Sequence, residues 1–310
     1  MHSTNSLSFA QRWNYALKPG SWPKLLVPTV LGHSIGIAIT GDVNLAALLL
    51  GLFITLAHGT YVVLLNDWGD QHVDALKRQM FPQGGSAKTI PDGILPAPHL
   101  LYTGLAAALL TLIGAAVGMF WLNRPLMVLI GALGVLTFFA YTLPPIRLNY
   151  RGGGELLEMI GVGVILPYGQ MYLQSGVFWH PLLALLGGYT VLCLCSALAS
   201  GLSDEESDRA GGKVTFVTLW GNARVRTLIE GGLIVALAAW CVALVWVPLW
   251  IILPACAVVL LEYRQVRQLS AAALTNAFSE QKRYKQALHR AIWYSTITVA
   301  LLLFITAFWS

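Results

Sequence analysis

Residues 44–74 read NLAALLLGLFITLAHGTYVVLLNDWGDQHVD. The first part of this stretch, 44–65, contains no Asp, Glu, Lys or Arg. A helix crossing the hydrocarbon core of a bilayer needs roughly 20 apolar residues, so 44–65 reads as a membrane span. Asn66, Asp67, Asp70 and Asp74 follow with no linker. At about 100° per residue the three aspartates share one helical face. Neighbouring like charges repel, and acids at membrane depth are unfavourable unless something compensates them.

The rest of the chain repeats the first of these features many times. Of its 310 residues, 56% are apolar and only 11% charged, and the mean hydropathy is +0.67. Soluble domains carry about 25% charged residues. The composition excludes a disordered chain, a nucleic-acid-coating protein and an ordinary soluble enzyme. Nine apolar stretches lie near 24–40, 44–65, 99–122, 125–143, 156–174, 181–202, 228–246, 248–262 and 290–309. The eighth is short and reads as a full or a partial span. The sequence thus predicts an all-α polytopic protein with nine transmembrane helices. Residues 1–23 form a cytoplasmic or interfacial segment, and 24–310 a single membrane-embedded domain. Phe9, Trp13, Tyr15 and Trp22 among polar neighbours suit a short interfacial helix or a plain tail. With Arg12 and Lys18 the segment is too polar for a signal peptide.

The basic residues set the orientation. With nine spans, 18 of the 19 Lys and Arg fall on the amino-terminal side, and Arg124 alone lies on the other. The positive-inside rule places the N-terminus in the cytoplasm and the C-terminus outside. The net charge of +5 and the pI of about 9.1 therefore report topology and no nucleic-acid partner. Cys193, Cys195, Cys241 and Cys256 all fall in apolar stretches without metal-site spacing and read as small buried residues.

Half of the 14 acidic residues occupy two short segments. The second segment, Asp204-Glu205-Glu206-Ser207-Asp208, follows the sixth span and lies on the same side as the first. Asp204 and Asp208 are one turn apart and share a face. Neither set has a basic partner in its own helix at every position, so each face reads as uncompensated negative charge. Carboxylate oxygens with little nitrogen or sulfur suit Mg²⁺, with Mn²⁺ as the second choice. Mg²⁺ typically takes one or two carboxylates plus phosphate oxygens. Two such faces meeting across a bundle would hold metals that in turn hold a diphosphate.

The pattern Asn66-Asp67-x-x-Asp70-x-x-x-Asp74 resembles the first aspartate-rich motif of the UbiA superfamily of intramembrane prenyltransferases, and Asp204-x-x-x-Asp208 resembles the second. The order, the shared side and the nine spans extend the resemblance along nearly the whole chain. Within the superfamily the chain looks most like the menaquinone-pathway dihydroxynaphthoate polyprenyltransferases. The stretches that carry this are Tyr141–Gly152 with Gly154-Glu155, Gly211–Thr215, and the Gly84–Leu95 loop. Where many such enzymes have Asn and Arg just before the second acidic pair, this chain has Ser200-Gly201-Leu202-Ser203.

The resemblance implies a UbiA-like bundle with a lipid-open central cavity in a bacterial plasma membrane, its active site facing the cytoplasm. It implies transfer of a prenyl chain from its diphosphate to an aromatic acceptor, most naturally 1,4-dihydroxy-2-naphthoate, with membrane lipid around it and no obligate protein partner. Asp67, Asp70, Asp74, Asp204 and Asp208 would be the catalytic metal ligands, with Asn66 as a neutral ligand or orienting group. Lys77, Arg78, Arg147, Arg151 and Lys213 are candidate diphosphate clamps. Tyr141 is the leading candidate to shield an allylic cation, ahead of Phe138, Phe139, Tyr168 and Tyr172. His72 is read as solvent-facing, and His33 and His58 as bonded to helix neighbours. Gly104, Gly114, Gly118, Gly131 and Gly134 either let helices approach or leave room for the tail. Hydroxybenzoate, homogentisate, a tetrapyrrole or a lipid alcohol stays open as acceptor. A transporter is the less favoured reading, because the acids sit at span ends and not near mid-membrane.

Overall fold

A computed structural model describes residues 7–82 and 84–309. Among the described residues the ordered elements are all helical. Lipid offers no hydrogen bonds to the backbone, so a spanning chain must satisfy its own, which a helix does within one segment. The spanning helices are α2 (Pro23–Thr40), α3 (Leu45–Gly69), α5 (Ala97–Trp121), α6 (Met127–Thr142), α9 (Leu185–Gly201), α12 (Asn222–Ala243), α13 (Leu249–Ser270) and α14 (Phe278–Trp309), with one further rod. That rod joins α7 (Gly154–Ile160) to α8 (Leu166–Ser175) through a π-helical turn at Gly161–Ile165.

Eight of these helices are long and apolar enough to cross a membrane, and α6 is a ninth, shorter apolar helix. The short element is therefore not the eighth stretch. α13 has 22 residues, because its helix continues through the polar run after Glu262. Hydropathy marks the lipid-facing part of a helix, whereas hydrogen bonding continues beyond it. The 16 residues of α6 span about 24 Å, less than the roughly 30 Å hydrocarbon core. The 32 residues of α14 span about 48 Å, so its first turns project beyond that core.

Packing runs around a ring. α2 packs on α3, α3 on α5, α5 on α6, α6 on α7, α7 on α9, α9 on α12, α12 on α13 and α13 on α14, and α14 returns to α2. Along α8 the ring closes tightly. A Cβ on Gly32 of α2 would lie 2.7 Å from the Gln170 Cβ, and one on Gly36 would lie 2.7 Å from the Gln174 Cβ. This small-xxx-small face lets two backbones approach. Leu105, Leu109, Ile113, Leu129, Leu133 and Leu136 are exposed and form part of a lipid-facing belt.

At the other end of the bundle, short helices cover the ring. α4 (Gln71–Met80) continues from α3, α10 (Glu205–Ala210) follows α9, and α11 (Phe216–Trp220) leads into α12. α4 and α10 touch each other. Before the first span, α1 (Phe9–Leu17) starts at a Ser8–Gln11 capping box and packs on α3. Of the two expectations for this segment, the structure has the helix.

Candidate active site

α3 ends at Gly69, and Asp70 (φ −97°, ψ 6°) kinks the chain into α4. The hydrogen-bond ladder persists through the kink, from Asp70 N–H to Asn66 O at 2.9 Å and from Asp74 N–H to Asp70 O at 2.8 Å. Helical spacing therefore still holds, and Asp67, Asp70 and Asp74 are all buried. α10 brings Asp204 and Asp208 to the same end. Both acidic segments border a cavity of about 1020 Å³ whose lining includes Asn66, Asp70, Asp74, Asp204 and Asp208. Asp67 reaches its edge through Lys18, which also lines it.

The aspartate faces are not uncompensated, as their own helices suggested. Lys18 pairs with Asp67, Lys88 with Asp74, Lys77 with Asp204, and Lys213 with Asp70 at 2.8 Å. These lysines come from the segment before α2, the loop after α4, α4 itself and the loop after α10. Thr89 Oγ1 also donates to Asp67 at 2.6 Å, and the Asn149 amide donates to Asp70 at 3.3 Å. Asp208 is buried and, among the described residues, has no ion-pair partner. Burial pushes its carboxyl up to about 7; Lys213 opposes this, and the charges of Asp204 and Asp70 add to it. Asp74 is also raised by burial, against the pull of Lys88. Asp204 is lowered: burial works against ionisation, but Lys77, Lys88 and Lys285 outweigh it. Lys88 and Lys213 are raised despite their burial, by Asp74 for the first and by Asp70 and Asp208 for the second.

The donor set fits a hard divalent cation in chemistry: clustered carboxylates, amide oxygens and no thiolate. Asn149 Oδ1, beside Asp70, is buried without a partner. Among the described residues, however, no three acidic, histidine or cysteine side chains converge closely enough to hold a metal between them. Four of the five aspartates are engaged by lysines.

Three of the five predicted diphosphate clamps lie elsewhere. Arg78 grips Asp92 with Nε at 2.6 Å and Nη2 at 2.9 Å, and donates to the carbonyls of Gly84 and Ser86. It fastens the loop after α4. Arg147 stacks over the Tyr150 ring at 3.6 Å and donates to Gly69 O at 2.5 Å, pinning the loop after α6 to the end of α3. Arg151 is exposed, and like Arg78 and Arg147 it is absent from the cavity wall. Lys77 and Lys213 do line it. Of the two adjacent cations after the first motif, Arg78 ties the loop and Lys77 lines the cavity. Lys18 and Lys88 reach the same end from before α2 and from the loop after α4.

The apolar wall comes from α3, α6 and α7. Tyr141 lines the cavity and stacks on Phe138 at 5.5 Å, and Phe138 meets Tyr61 edge-on at 5.1 Å. Phe139 lies outside the lining, as do Tyr168 and Tyr172, which stack on each other. Tyr172 accepts from Leu126 N–H, between α5 and α6, at the opposite end of the bundle. Gly161 and Val162 of the π-turn line the cavity, a common place for such a turn. Gly134 lines it too, whereas a Cβ on Gly104, Gly114 or Gly131 would lie 2.7 Å from Leu65, Ile54 or Ala115. Those three serve helix approach, and Gly134 leaves room. His72 is exposed; His58 lines the cavity. The sequence reading missed Lys18, Lys24, Lys88, Lys285, Asn149 and His289. The single usable signal was the one-turn spacing of Lys285 and His289 at the start of the last span.

An all-helical membrane bundle with a cavity that is ionic at one end and hydrocarbon-like along one wall suits a substrate with an anionic head and an apolar tail. The chain belongs to the UbiA prenyltransferase family, whose sequence model matches residues 25–289. It is an integral membrane protein and an intramembrane prenyltransferase. A 1,4-dihydroxy-2-naphthoate octaprenyltransferase of Mycobacterium tuberculosis is 27% identical over 233 residues, covering 74% of this chain and 76% of that one. A protein of the same description from Mycobacterium leprae is 28% identical over 231 residues, covering 73% and 75%. A UbiA homologue from Archaeoglobus fulgidus, solved with DMAPP and Mg²⁺, superposes with a TM-score of 0.69 at 16% identity, covering 94% of this chain and 99% of that one. A UbiA homologue from Aeropyrum pernix K1 gives 0.66 at 13% identity, covering 91% and 98%. These structures share the fold.

Proposed function

We propose that this protein transfers a prenyl chain from a prenyl diphosphate to 1,4-dihydroxy-2-naphthoate, with Mg²⁺, at the cytoplasmic face of a bacterial plasma membrane. The observation that carries this reading is the meeting of both acidic segments over one cavity whose other wall is apolar and aromatic. The names of the two mycobacterial relatives support the acceptor. The DMAPP and Mg²⁺ of the archaeal homologue support the donor and the metal.

Asp67, Asp70, Asp74, Asp204 and Asp208, with Asn66, are the residues that would hold Mg²⁺. Bound there, the metal supplies charge neutralisation to the departing pyrophosphate. The chain's own groups do the rest. Lys18, Lys77, Lys88 and Lys213 already carry their charge to the cavity end, and phosphate oxygens are equivalent partners for them. The wall formed by Val62, Phe138, Tyr141, Leu157 and Val162 keeps water from the hydrocarbon chain. Tyr141 and Phe138 present ring faces that favour a neighbouring cation. Residues 7–23 form an interfacial segment of a single membrane domain whose amino-terminal side is cytoplasmic, and residues 1–6 of the expected 1–23 segment lie outside the described residues.

The test is transfer from a radiolabelled prenyl diphosphate by purified protein, with an acceptor panel of dihydroxynaphthoate, hydroxybenzoate, homogentisate and a lipid alcohol. Dihydroxynaphthoate should give the labelled product, and EDTA, Asp67→Ala and Asp208→Ala should abolish it in folded protein. Full activity under any of those three conditions refutes the metal-site reading. Product with another acceptor alone refutes the assignment of the ring.

A further inference from the structure

The cavity has a second polar wall that the carboxylates and their lysines do not use. It is built by α2, α9 and α14. Lys285 of α14 donates to Ser203 Oγ at 3.0 Å and to Ser200 O at 3.4 Å. Lys24, at the start of α2, donates to Ser200 Oγ at 3.1 Å and to Glu158 at 2.5 Å. One turn beyond Lys285 along α14, the His289 Nε2 and Ser196 Oγ share a hydrogen bond of 3.2 Å. Ser196 lies one turn before Ser200 on α9, so the polar groups descend from the ionic end into the bundle. Lys24, Ser200, Ser203, Lys285 and His289 all line the cavity.

Lys285 differs from the other enclosed cavity lysines. Lys18, Lys24, Lys77, Lys88 and Lys213 each pair with a carboxylate. Among the described residues Lys285 has no carboxylate within ion-pair distance, and its partners are neutral oxygens. An ammonium confined in such a place favours an anionic guest, because the alternative is a partly desolvated charge without a counterion. The guest has to fit a polar wall facing an apolar one. A hydrocarbon tail follows the apolar side, lined by Phe138, Leu157, Val162 and Leu166. A flat ring bearing an acid and hydroxyls matches the α2–α9–α14 side.

We propose that Lys285 binds the carboxylate of the aromatic acceptor, with His289, oriented by its hydrogen bond to Ser196, placed for a hydroxyl on the same ring. This rests on the prenyl-transfer reading above and adds where and how the acceptor is recognised. A hydroxylated aromatic carboxylate is then the substrate class. A neutral phenol or a lipid alcohol leaves the Lys285 charge unanswered.

The test is binding to the full-length protein in nanodiscs, with 1-hydroxy-2-naphthoate and 1-naphthol as a matched pair differing in the carboxylate. Geranyl diphosphate with Mg²⁺ is titrated separately. Lys285→Gln should weaken hydroxynaphthoate binding about tenfold or more, the scale of a lost hydrogen bond to a charged group. It should leave 1-naphthol and geranyl diphosphate within about twofold, and Lys285→Arg should restore part of the loss. In the wild type, hydroxynaphthoate should protect Lys285 from amine-directed labelling and 1-naphthol should not; this readout does not depend on the variant folding. Unchanged hydroxynaphthoate binding in Lys285→Gln, or no protection, overturns the subsite and leaves prenyl transfer standing. Loss of geranyl diphosphate affinity in Lys285→Gln also overturns it, by making Lys285 a diphosphate ligand. A wild type that binds no geranyl diphosphate refutes the underlying prenyl-transfer reading instead.

Discussion

Replacing Arg78 with Ala should release the loop after α4 while leaving the bundle intact. Arg78 makes two hydrogen bonds to the Asp92 carboxylate, at 2.6 and 2.9 Å, and one each to the Gly84 and Ser86 carbonyls, at 2.7 and 3.0 Å. A hydrogen bond to a charged group contributes about 1.5–3 kcal/mol net of exchange with water when well buried. Both partners are about one-fifth exposed, which screens the pair. A net loss of about 2–3 kcal/mol is a reasonable expectation, and it raises the loop-opening equilibrium about 30- to 140-fold. Hydrogen exchange in nanodiscs reads this directly. The amides of Asp92, Gly93 and Ile94 bond to carbonyls within the loop, at 2.9, 3.0 and 3.0 Å, and should lose protection by that factor. Asp92→Asn should act in the same direction. Asp92 is held below the usual carboxylate range: burial opposes this, but Arg78 and the Tyr15 hydroxyl outweigh it. The latch therefore persists at neutral pH and is lost as pH falls through that depressed value. Because Lys88 and Thr89 lie in the same loop, the variant should also loosen the grip on Asp74 and Asp67. Unchanged exchange in Arg78→Ala, with a selective loss of geranyl diphosphate affinity, would refute the latch and return Arg78 to the diphosphate.

Three further outcomes follow from the site. With Asp208 pushed up to about 7, Mg²⁺ must displace its proton, so titrations should show apparent affinity about fivefold weaker at pH 6 than at pH 7 and about twofold stronger at pH 8; a flat profile contradicts this. Lys88→Met leaves Asp74 buried and unpaired, and should lower thermal stability by the equivalent of about 3–5 kcal/mol, partly recovered by added Mg²⁺; an unchanged melting curve counts against the pair. Gly134→Leu should shorten the prenyl chain accepted without loss of fold, because Gly134 lines the cavity. By contrast, Gly131→Leu, aimed at Ala115, should destabilise by about 1–3 kcal/mol; product-length analysis and melting curves separate the two.

The spans and the acidic motifs were legible because each is written locally. Hydropathy marks a span within 20 or so residues, and one-turn spacing survives the kink at Asp70. The pairing of the lysines with the aspartates was not legible, because three of the four pairs are remote in sequence. Lys18 is 49 residues from Asp67, Lys77 is 127 from Asp204 and Lys213 is 143 from Asp70. Lys18 reads singly as an orientation signal at a membrane face, and Lys77 and Lys213 read as diphosphate clamps with no carboxylate partner assigned. Arg78 and Arg147 misled for the converse reason. They sit near the motifs along the chain, yet a planar guanidinium with several donors also suits tying carbonyls and a carboxylate in a loop. The end of α13 escaped for a third reason: polar helical turns beyond the lipid leave no hydropathy signature.

The return of α14 onto α2 makes closure of the bundle depend on the order of its helices along the chain. α2 precedes the other described spans along the chain, with Lys24 at its head and His33 buried within it, and α14 follows them. Until that final helix arrives, one flank of α2 faces lipid, an unfavourable place for polar groups. Lys285 and His289 are also missing until then. A chain that has threaded the eight apolar helices before α14 into the bilayer still has an open wall. The carboxylate end of the cavity is thus complete before α14 in chain order, and what α14 adds is the wall that carries Lys285 and His289.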